Sequence, residues 1–371
     1  MTQIIFYIFI ISTIIQLIYW IFLFSKLAFH KSPTHDLQKE QEPVSIIICA
    51  HNEAENLERN LPRILNQNYR SYEVIVVNDN STDNTHSIIF KYMKKYSNLC
   101  LVNSKPKQVG EVGKKFPLRE GIESSKYQTL LLTDADCCPA SVEWLSLMQN
   151  RFSDKVEIAL GYSPYYETQS NKLLNRFIRF EAIYTAIQYL SFALVGQPYM
   201  GVGRNLAYRK HLFFKVGGFD KHKHIASGDD DLFINEVANK ENVGIVLDKN
   251  SFVYSNPKTT WSSYFKQKTR HLSTAGSYQL KHKILLGLLS LSHFLHYAGG
   301  IILIILKFSI IFVGMVFVLR MSVILFYYAR LLNKFQDHSL LKWIPFLDLM
   351  YILYYVVFAP FLIIGKTVTW K

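Results

Sequence analysis

The chain has 371 residues, of which 50% are hydrophobic, and a formal net charge of +13 at pH 7. The apolar residues are too unevenly distributed for two ordinary soluble domains, although the length would allow two. The basic excess does not favour a nucleic-acid-binding protein, because the densest basic stretch adjoins segments that are apolar enough to enter a bilayer.

Residues 1–25 are predicted to be a transmembrane anchor. Residues 4–24 carry no charged side chain, and a helix of that length crosses a hydrocarbon core of about 30 Å. No basic residue precedes the run and no small-residue cleavage site follows it, so we interpret it as an uncleaved anchor. Residues 26–42, which include Pro33 and several polar side chains, are predicted to be a linker.

Residues 43–256 have the pattern of an α/β domain. Short runs rich in β-branched residues or leucine occur at 44–50, 72–79, 99–104 and 129–136, separated by segments of helical length. Continuous apolar strands joined by crossover helices predict a mostly parallel sheet with helices on both faces. Ligands bind such sheets outside the carboxyl ends of the strands.

Polar residues follow three of these strands, as "AHNE" at 50–53, "NDNSTDN" at 78–84 and "DAD" at 134–136. Each could be a cap or a turn, but together they predict one polar site at one edge of the sheet. Asp134 and Asp136 could share a hard divalent cation, and "GKK" at 113–115 supplies lysines. Carboxylates, a metal and lysines suit a nucleoside diphosphate leaving group. Neither the dinucleotide-binding glycine pattern nor a P-loop is present.

The last part of the chain is predicted to be membrane-associated. Residues 257–283 form an amphipathic interfacial helix region, and spans are predicted at 284–306, 308–330 and 343–365. Basic residues flank the spans on the side of the α/β domain, which favours a cytoplasmic position for that domain in an integral membrane protein. These residues are Lys26, Lys31, Lys281, Lys283, Arg330, Lys334 and Lys342.

Five stretches, taken in order, resemble the family 2 glycosyltransferases, which have the GT-A nucleotide-diphospho-sugar transferase fold. They are "VSIIICAHNEAENL", "VIVVNDNSTDNT", "TDAD", "GVGRNLAYRK" with "VGGFD", and "QKTRH". The arrangement of anchors is similar to the membrane-bound branch that includes ceramide glucosyltransferases and polysaccharide synthases.

The resemblance implies site residues position by position. Asp136 with Asp134 would hold Mg²⁺ or Mn²⁺. Lys114 would be the lysine near the donor, and Lys115 is the alternative. His271 stands where this branch usually has tryptophan, which puts acceptor or polymer binding in doubt. Donor binding is implied for Ala50, Asn52, Glu53, Asp79, Lys114, Asp134, Gln267 and Arg270, and an acceptor region for Gly203, Arg204, Asn205, Asp231 and His271.

The stretch "IASGDDDL" at 225–232 follows the acceptor region and resembles the acidic motif that carries the catalytic base in the family. One alignment makes Asp230 the base with Asp229 as helper, and the other makes Asp229 the base; we favour Asp230. Asp231 is predicted to cap the helix that follows.

The resemblance therefore implies an inverting transfer of a sugar from a nucleotide-diphosphate donor to a lipid or glycan acceptor at the membrane. A processive polysaccharide synthase and a non-catalytic membrane scaffold that binds a nucleotide sugar are the alternatives. No nucleic-acid partner is expected.

Overall fold

The computed structural model describes residues 1–31, 41–106 and 112–364, with side chains described as far as residue 361. A π-helical turn, Tyr19–Phe24, joins the first two helices, and a 3-10 helix, His338–Trp343, precedes the last. The helices are α1 (Thr2–Ile18), α2 (Ser25–Ala28), α3 (Ala54–Leu65), α4 (Thr85–Met93), α5 (Lys115–Ser124), α6 (Trp144–Gln149), α7 (Lys172–Leu194), α8 (Lys210–Lys215), α9 (Asp231–Val237), α10 (Trp261–Leu272), α11 (Leu280–Ile305), α12 (Ile310–Phe335) and α13 (Ile344–Ile364). The strands are β1 (Val44–Ala50), β2 (Tyr72–Asn78), β3 (Leu99–Asn103), β4 (Thr129–Leu132), β5 (Cys137–Pro139), β6 (Ile158–Leu160), β7 (Leu206–Arg209), β8 (Val243–Ile245) and β9 (Val253–Ser255).

The central sheet has seven strands in the order β3-β2-β1-β4-β7-β6-β8. Strands β1 to β4 are parallel, β7 runs antiparallel to both of its neighbours, and β6 and β8 are parallel. The mostly parallel α/β sheet predicted from the apolar runs is therefore confirmed. Strand β4 ends at Leu132, so the "DAD" residues 134–136 lie in the turn after the strand instead of within it.

Both faces of the sheet are covered, because alternate side chains of the apolar strands point to opposite sides. Ile47, Ile75 and Leu130 pack in a core cluster with α5 and α7. Ile46, Val74 and Leu131 pack on the other face in a cluster with α3, α4 and α6. Helix α5 approaches so closely that a Cβ atom on Gly121 would lie 2.8 Å from Ile47 and Val77.

Among the described residues, four helical stretches are long and apolar enough to cross a membrane: Thr2–Ala28, Leu280–Ile305, Ile310–Phe335 and His338–Phe361. The prediction of one apolar helix before the α/β domain and three after it is confirmed. The first stretch continues to Ala28, past the end predicted at residue 25. Helix α7 links the domain to these helices, since Tyr184 packs edge-on against Tyr351 of α13 at 5.3 Å.

A buried polar network joins the four apolar stretches. The guanidinium of Arg320 donates to Asp348 at 2.6 Å and to Gln16 at 3.2 Å. Asp348 also accepts from Tyr297 at 2.7 Å and lies 3.2 Å from His293. A charge within apolar helices is tolerated only when it is paired, so this network specifies how the helices pack against one another.

Candidate active site

A cavity of about 790 Å³ opens at the carboxyl edge of the parallel strands. Its volume lies within the range of about 300–1,000 Å³ that is typical of small-molecule sites. The predicted site residues Asn52, Gly203 and Asn205 do not line it. The other predicted residues do: Ala50, Glu53, Asp79, Lys114, Asp134, Asp136, Arg204, Asp229, Asp230, Asp231, Gln267, Arg270 and His271.

Lys114 connects two acidic segments of the cavity. Its Nζ lies 2.8 Å from Asp134 and 3.0 Å from Asp229. Burial alone would lower the pKa of Lys114, but the carboxylates of Asp134, Asp229 and Asp230 raise it well above its usual value. Burial opposes ionisation of Asp134, yet the charge of Lys114 lowers the pKa of that carboxyl. The lysine and Asp134 therefore remain charged and paired.

Lys115 points away from the cavity, so the structure places Lys114, and not Lys115, beside the acidic groups. Only 3% of Lys115 is exposed, and its ammonium donates to three main-chain carbonyls: His222 at 2.6 Å, Ile225 at 2.9 Å and Ser227 at 2.7 Å. Three donors meet three acceptors, which satisfies the buried ammonium completely. Lys115 thus holds the segment that leads to the three aspartates.

The three consecutive aspartates have different partners. Asp229 pairs with Lys114, whereas Asp230 accepts from the backbone N–H of Gly203 at 2.7 Å. Asp230 is also the N-cap of α9, where it accepts from the N–H of Asp231 at 2.8 Å. The prediction that Asp231 caps this helix is wrong, because the helix begins one residue earlier than expected. Asp231 is the first residue of α9, and its carboxylate accepts from the N–H of Leu232 at 2.8 Å and from Tyr278 at 2.7 Å.

Burial raises the pKa of both Asp230 and Asp231 above the usual value of a carboxyl, and the shift of Asp230 brings its pKa near neutral. Burial raises the pKa of Asp230 to about 7, with further contributions from the negative charges of Asp229 and Asp231. Lys114 and the N–H of Gly203 oppose the shift. A carboxylate with a pKa near the working pH is suited to accept a proton from a hydroxyl group.

The turns after β1 and β2 form one wall of the cavity. The N–H of Asp79 donates to the carbonyl of Ala50 at 2.8 Å, which holds these turns together. Asn52 has a left-handed φ of 56° and accepts from the N–H of Thr82 at 2.8 Å, so it positions the wall without lining it. His51, which sequence reasoning missed, lines the cavity, with its Nδ1 2.6 Å from the carbonyl oxygen of Asp79.

Asp134, Asp136 and Cys137 each offer one ligand atom within 4.8 Å of the others. Burial and the adjacent Asp136 raise the pKa of the Cys137 thiol well above its usual value, so this sulfur is a poor ligand for a hard cation. Among the described residues, the carboxylate of Asp136 accepts from the Cys137 thiol at 3.4 Å, a weak donor, and from the Ser255 hydroxyl at 3.5 Å, which is long for an O–H donor. The residues present therefore fit a hard divalent cation held by Asp136 and Asp134.

Cationic groups surround the acidic turn. The guanidinium of Arg204 stacks over Tyr165 at 4.4 Å, and its buried Nη1 has no hydrogen-bond partner among the described residues. Arg270, Gln267 and His271 reach the cavity from α10. The side chain of His271 is exposed to the cavity. Desolvation by the surrounding protein, then the charges of Lys268 and Arg270, lowers the pKa of His271 well below its usual value, so it is a neutral ring where this branch usually has tryptophan.

The structure changes the interpretation of two predicted acceptor residues. Asn205 is buried and uses its whole amide in the fold, donating to Tyr162 and Ser251 at 2.9 Å and accepting from Trp144 at 2.9 Å. It therefore supports the site and does not face an acceptor. Gly203 acts through Asp230, because its N–H binds that carboxylate and a Cβ there would lie 3.2 Å from the same oxygen.

A mostly parallel α/β sheet with an acidic turn, a lysine and arginines at its carboxyl edge defines a nucleotide-diphospho-sugar transferase type of domain. Residues 45–217 match the model of Glycosyl transferase family 2, and this part of the chain is a family 2 glycosyltransferase domain. The identity of the domain agrees with the resemblance inferred from the sequence.

Curated relatives include the probable glycosyltransferase YdaM of Bacillus subtilis, 30% identical over 62% of this chain and 55% of that protein. A poly-beta-1,6-N-acetyl-D-glucosamine synthase of Staphylococcus epidermidis is 31% identical over 32% of this chain and 29% of the synthase. The matches thus span about half of the first relative and less than a third of the second.

One solved structure resembles nearly the whole chain. It is the mannosyltransferase PcManGT from Pyrobaculum calidifontis in complex with GDP-Man and Mn²⁺. The TM-score is 0.60 at 16% sequence identity, and the match covers 95% of this chain and 99% of that one. At this identity the likeness concerns the GT-A fold alone.

Proposed function

We propose that this protein transfers a sugar, with inversion, from a nucleoside-diphosphate donor to a lipid or glycan acceptor at the cytoplasmic face of a membrane. The observation that carries the proposal is the bridge made by Lys114 between Asp134 and Asp229, with Asp230 next in the chain. It brings the acidic turn after β4 and the three aspartates at the start of α9 to one cavity.

Asp230 would act as the base. The acceptor oxygen attacks the anomeric carbon of the sugar while its hydroxyl proton passes to the Asp230 carboxylate. The bond from that carbon to the diphosphate oxygen breaks, and the nucleoside diphosphate leaves with the electron pair. One base and one displacement invert the configuration at the anomeric carbon.

Lys114, Arg204 and Arg270 would stabilise the charge that develops on the leaving diphosphate. Donors and cations positioned before reaction are often the largest contribution to such catalysis. The unpartnered Nη1 of Arg204 supports this role, because a buried guanidinium nitrogen requires an acceptor that the described residues do not supply. The same side chain was predicted for the acceptor region.

Asp136 and Asp134 would hold Mg²⁺ or Mn²⁺, which would supply positive charge at the diphosphate. The PcManGT structure contains Mn²⁺ with a nucleotide sugar, which supports this choice of metal and donor class. Ala50, Glu53, Asp79 and the neighbouring His51 would contact the nucleoside, since they line the cavity at the ends of β1 and β2.

The proposed orientation rests on basic residues at the helix ends. Lys26 lies near the end of the first apolar stretch, Lys281 and Lys283 lie at the start of α11, and Lys334 lies at the end of α12. Lys26, Lys281 and Lys283 lie at the helix ends that connect to the α/β domain along the chain, and the end of α12 contacts that domain, because Phe335 packs against Tyr162 at 4.5 Å. Positive residues concentrate on the cytoplasmic side of membrane proteins, so the catalytic domain is proposed to be cytoplasmic.

The test uses the full chain in phospholipid nanodiscs, supplied with Mn²⁺, a panel of nucleotide sugars and a membrane lipid extract. We expect one donor to release nucleoside diphosphate together with a glycosylated product identified by mass spectrometry. The Asp230→Asn variant should bind that donor with unchanged affinity and form no product. Binding of a donor with no turnover of any member of the panel would contradict the proposal and favour a scaffold.

A further inference from the structure

The cavity does not end at the reacting groups. From Asp230 it continues past α7 and α10 and between α11 and α13, both of which belong to the apolar stretches. We call this last part the lateral slot. It is bounded by Gly287, Leu291 and Phe294 on α11 and by Tyr355, Val356 and Phe358 on α13.

Each of the two walls of the lateral slot is one face of a helix. Gly287, Leu291 and Phe294 follow one another at spacings of four and three residues, which places them on one face of α11. On α13, Tyr351, Tyr355 and Phe358 have the same spacing. The α11 face lines the cavity, whereas on α13 Tyr351 and Phe358 are each only 4% exposed and pack against Phe177 of α7 and Phe265 of α10 while also lining the cavity.

The lateral slot is open toward the side of the helix bundle. Leu291 and Val356 both line the cavity and are each 55% exposed, so they mark its mouth. A Cβ atom on Gly287 would meet no atom within 4 Å. Phe294 and Phe358 each lie about 21 Å along the axis from the start of their helices, at a rise of about 1.5 Å per residue. The mouth thus lies well inside a hydrocarbon core of about 30 Å.

We infer that the acceptor is a neutral membrane lipid with a free hydroxyl group, whose hydrocarbon chain occupies the lateral slot. This inference rests on the proposed function and deepens it. A hydrocarbon chain can enter through the open mouth directly from the bilayer, and its length along the slot places the head of the lipid at Asp230. A glycan in the same place would leave its hydroxyl groups against Leu291, Val356 and Phe358 without hydrogen-bond partners.

The charges at the reacting end favour a neutral head group. Asp229, Asp230 and Asp231 stand together there, and the Lys268 ammonium on the membrane side is already paired with Glu181. Lys114 is paired with Asp134 and Asp229, and Arg204 and Arg270 are assigned to the donor diphosphate. An anionic phosphate head at Asp230 would compete with the donor for these cations and would be repelled by Asp230 and Asp231. A phosphate oxygen also carries no proton for a base to remove, whereas a lipid hydroxyl does.

In this reaction the lipid oxygen forms a bond to the anomeric carbon and the bond between that carbon and the diphosphate breaks. The hydroxyl proton goes to Asp230, and the diphosphate leaves with the electron pair. The products are a glycolipid, a nucleoside diphosphate and one proton, so atoms and charges balance without a further reactant. The glycolipid can return to the bilayer through the mouth by which the lipid entered.

The test places the full chain in phosphatidylcholine liposomes with the donor that it turns over. Four acceptors are compared: dioleoylglycerol, ceramide, undecaprenyl phosphate and soluble chitotetraose. We expect a glycolipid from dioleoylglycerol or ceramide and no product from the other two. Product from undecaprenyl phosphate or chitotetraose, with none from the neutral lipids, would overturn the inference while leaving the proposed function intact. Absence of turnover with every donor and acceptor would overturn both.

Three variants at two glycines test the position of the lipid. Gly287→Phe fills the lateral slot, and we expect lipid transfer per donor hydrolysed to fall at least tenfold. Gly314→Phe is the matched control, because a Cβ on Gly314 of α12 also meets no atom within 4 Å and this residue is outside the cavity. Gly287→Leu should give an intermediate loss. Unchanged lipid transfer by Gly287→Phe, or an equal loss in Gly314→Phe, would overturn the inference.

Discussion

Replacing Asp230 by asparagine should abolish transfer and yet stabilise the protein. Burial and the charges of Asp229 and Asp231 raise the pKa of Asp230 from 3.8 to about 7. A shift of about three units, at about 1.4 kcal/mol per unit, means that the ionised carboxylate costs the fold at most about 4 kcal/mol. Loss of one accepted backbone hydrogen bond in the variant costs about 1–2 kcal/mol. The net gain in the free energy of unfolding should therefore be at most about 2–3 kcal/mol.

The size of this stability difference depends on pH. Because the pKa of Asp230 is raised in the folded state, its favourable contribution to stability is complete below about pH 4 and is lost as the pH rises through 7. Wild type should therefore be less stable than Asp230→Asn at pH 8. The difference should shrink as the pH falls from 7 toward 5, where the wild-type carboxyl is protonated.

The assay is thermal unfolding of the purified full chain in detergent at pH 8 and pH 5.5, with sugar transfer measured in parallel. Asp229→Asn is the matched control. It removes one of the two carboxylates that pair with the part-buried Lys114 ammonium, and it should lower the unfolding temperature at pH 8. The reasoning is refuted if Asp230→Asn is less stable than wild type at pH 8. A gain in stability confined to Asp229→Asn would exchange the roles of the two aspartates.

Three further substitutions test other parts of the site. Lys115→Met leaves three buried carbonyls of residues 222–227 without a donor, which should cost about 1–3 kcal/mol for each carbonyl. Hydrogen exchange of this segment should therefore accelerate, and kcat should fall at least tenfold. Unchanged hydrogen exchange would contradict this role of Lys115. Gly203→Ala should lower kcat about tenfold with an unchanged KM for the donor, because the Cβ atom of the alanine would lie 3.2 Å from the Asp230 carboxylate. An unaltered kcat would show that the carboxylate tolerates displacement. Asp136→Asn should raise the Mn²⁺ concentration for half-maximal turnover at least tenfold, and an unchanged Mn²⁺ titration would exclude Asp136 as a ligand.

The periodicity of apolar residues and the segments that are buried could be predicted from the sequence. The bounds of β1 agree with the predicted run at 44–50, and four long apolar stretches were recognisable, because a buried strand or a membrane-length helix requires a continuous run of apolar residues. The gathering of Asp79 and Asp134 at one cavity also followed from the pattern, since parallel strands place their carboxyl ends at one edge of the sheet.

The direction of individual side chains was decided only by the tertiary structure. Lys114 and Lys115 are adjacent and chemically identical, yet one binds Asp134 and the other binds carbonyls more than 100 residues away in the chain. Asn205 looked like an acceptor residue and is instead used completely by the fold. Contacts between distant segments leave no local periodicity to read.

The different roles of the three aspartates were also decided by contacts between distant segments. Their order predicted a base, a helper and a cap, but the sequence assigned the cap to Asp231, and the structure gives it to Asp230. The lateral slot likewise depends on how far α11 and α13 stand apart, a distance that is set by packing across the bundle. The sequence by itself determined which segments are buried and where polar chemistry collects; packing decided which atoms face the cavity.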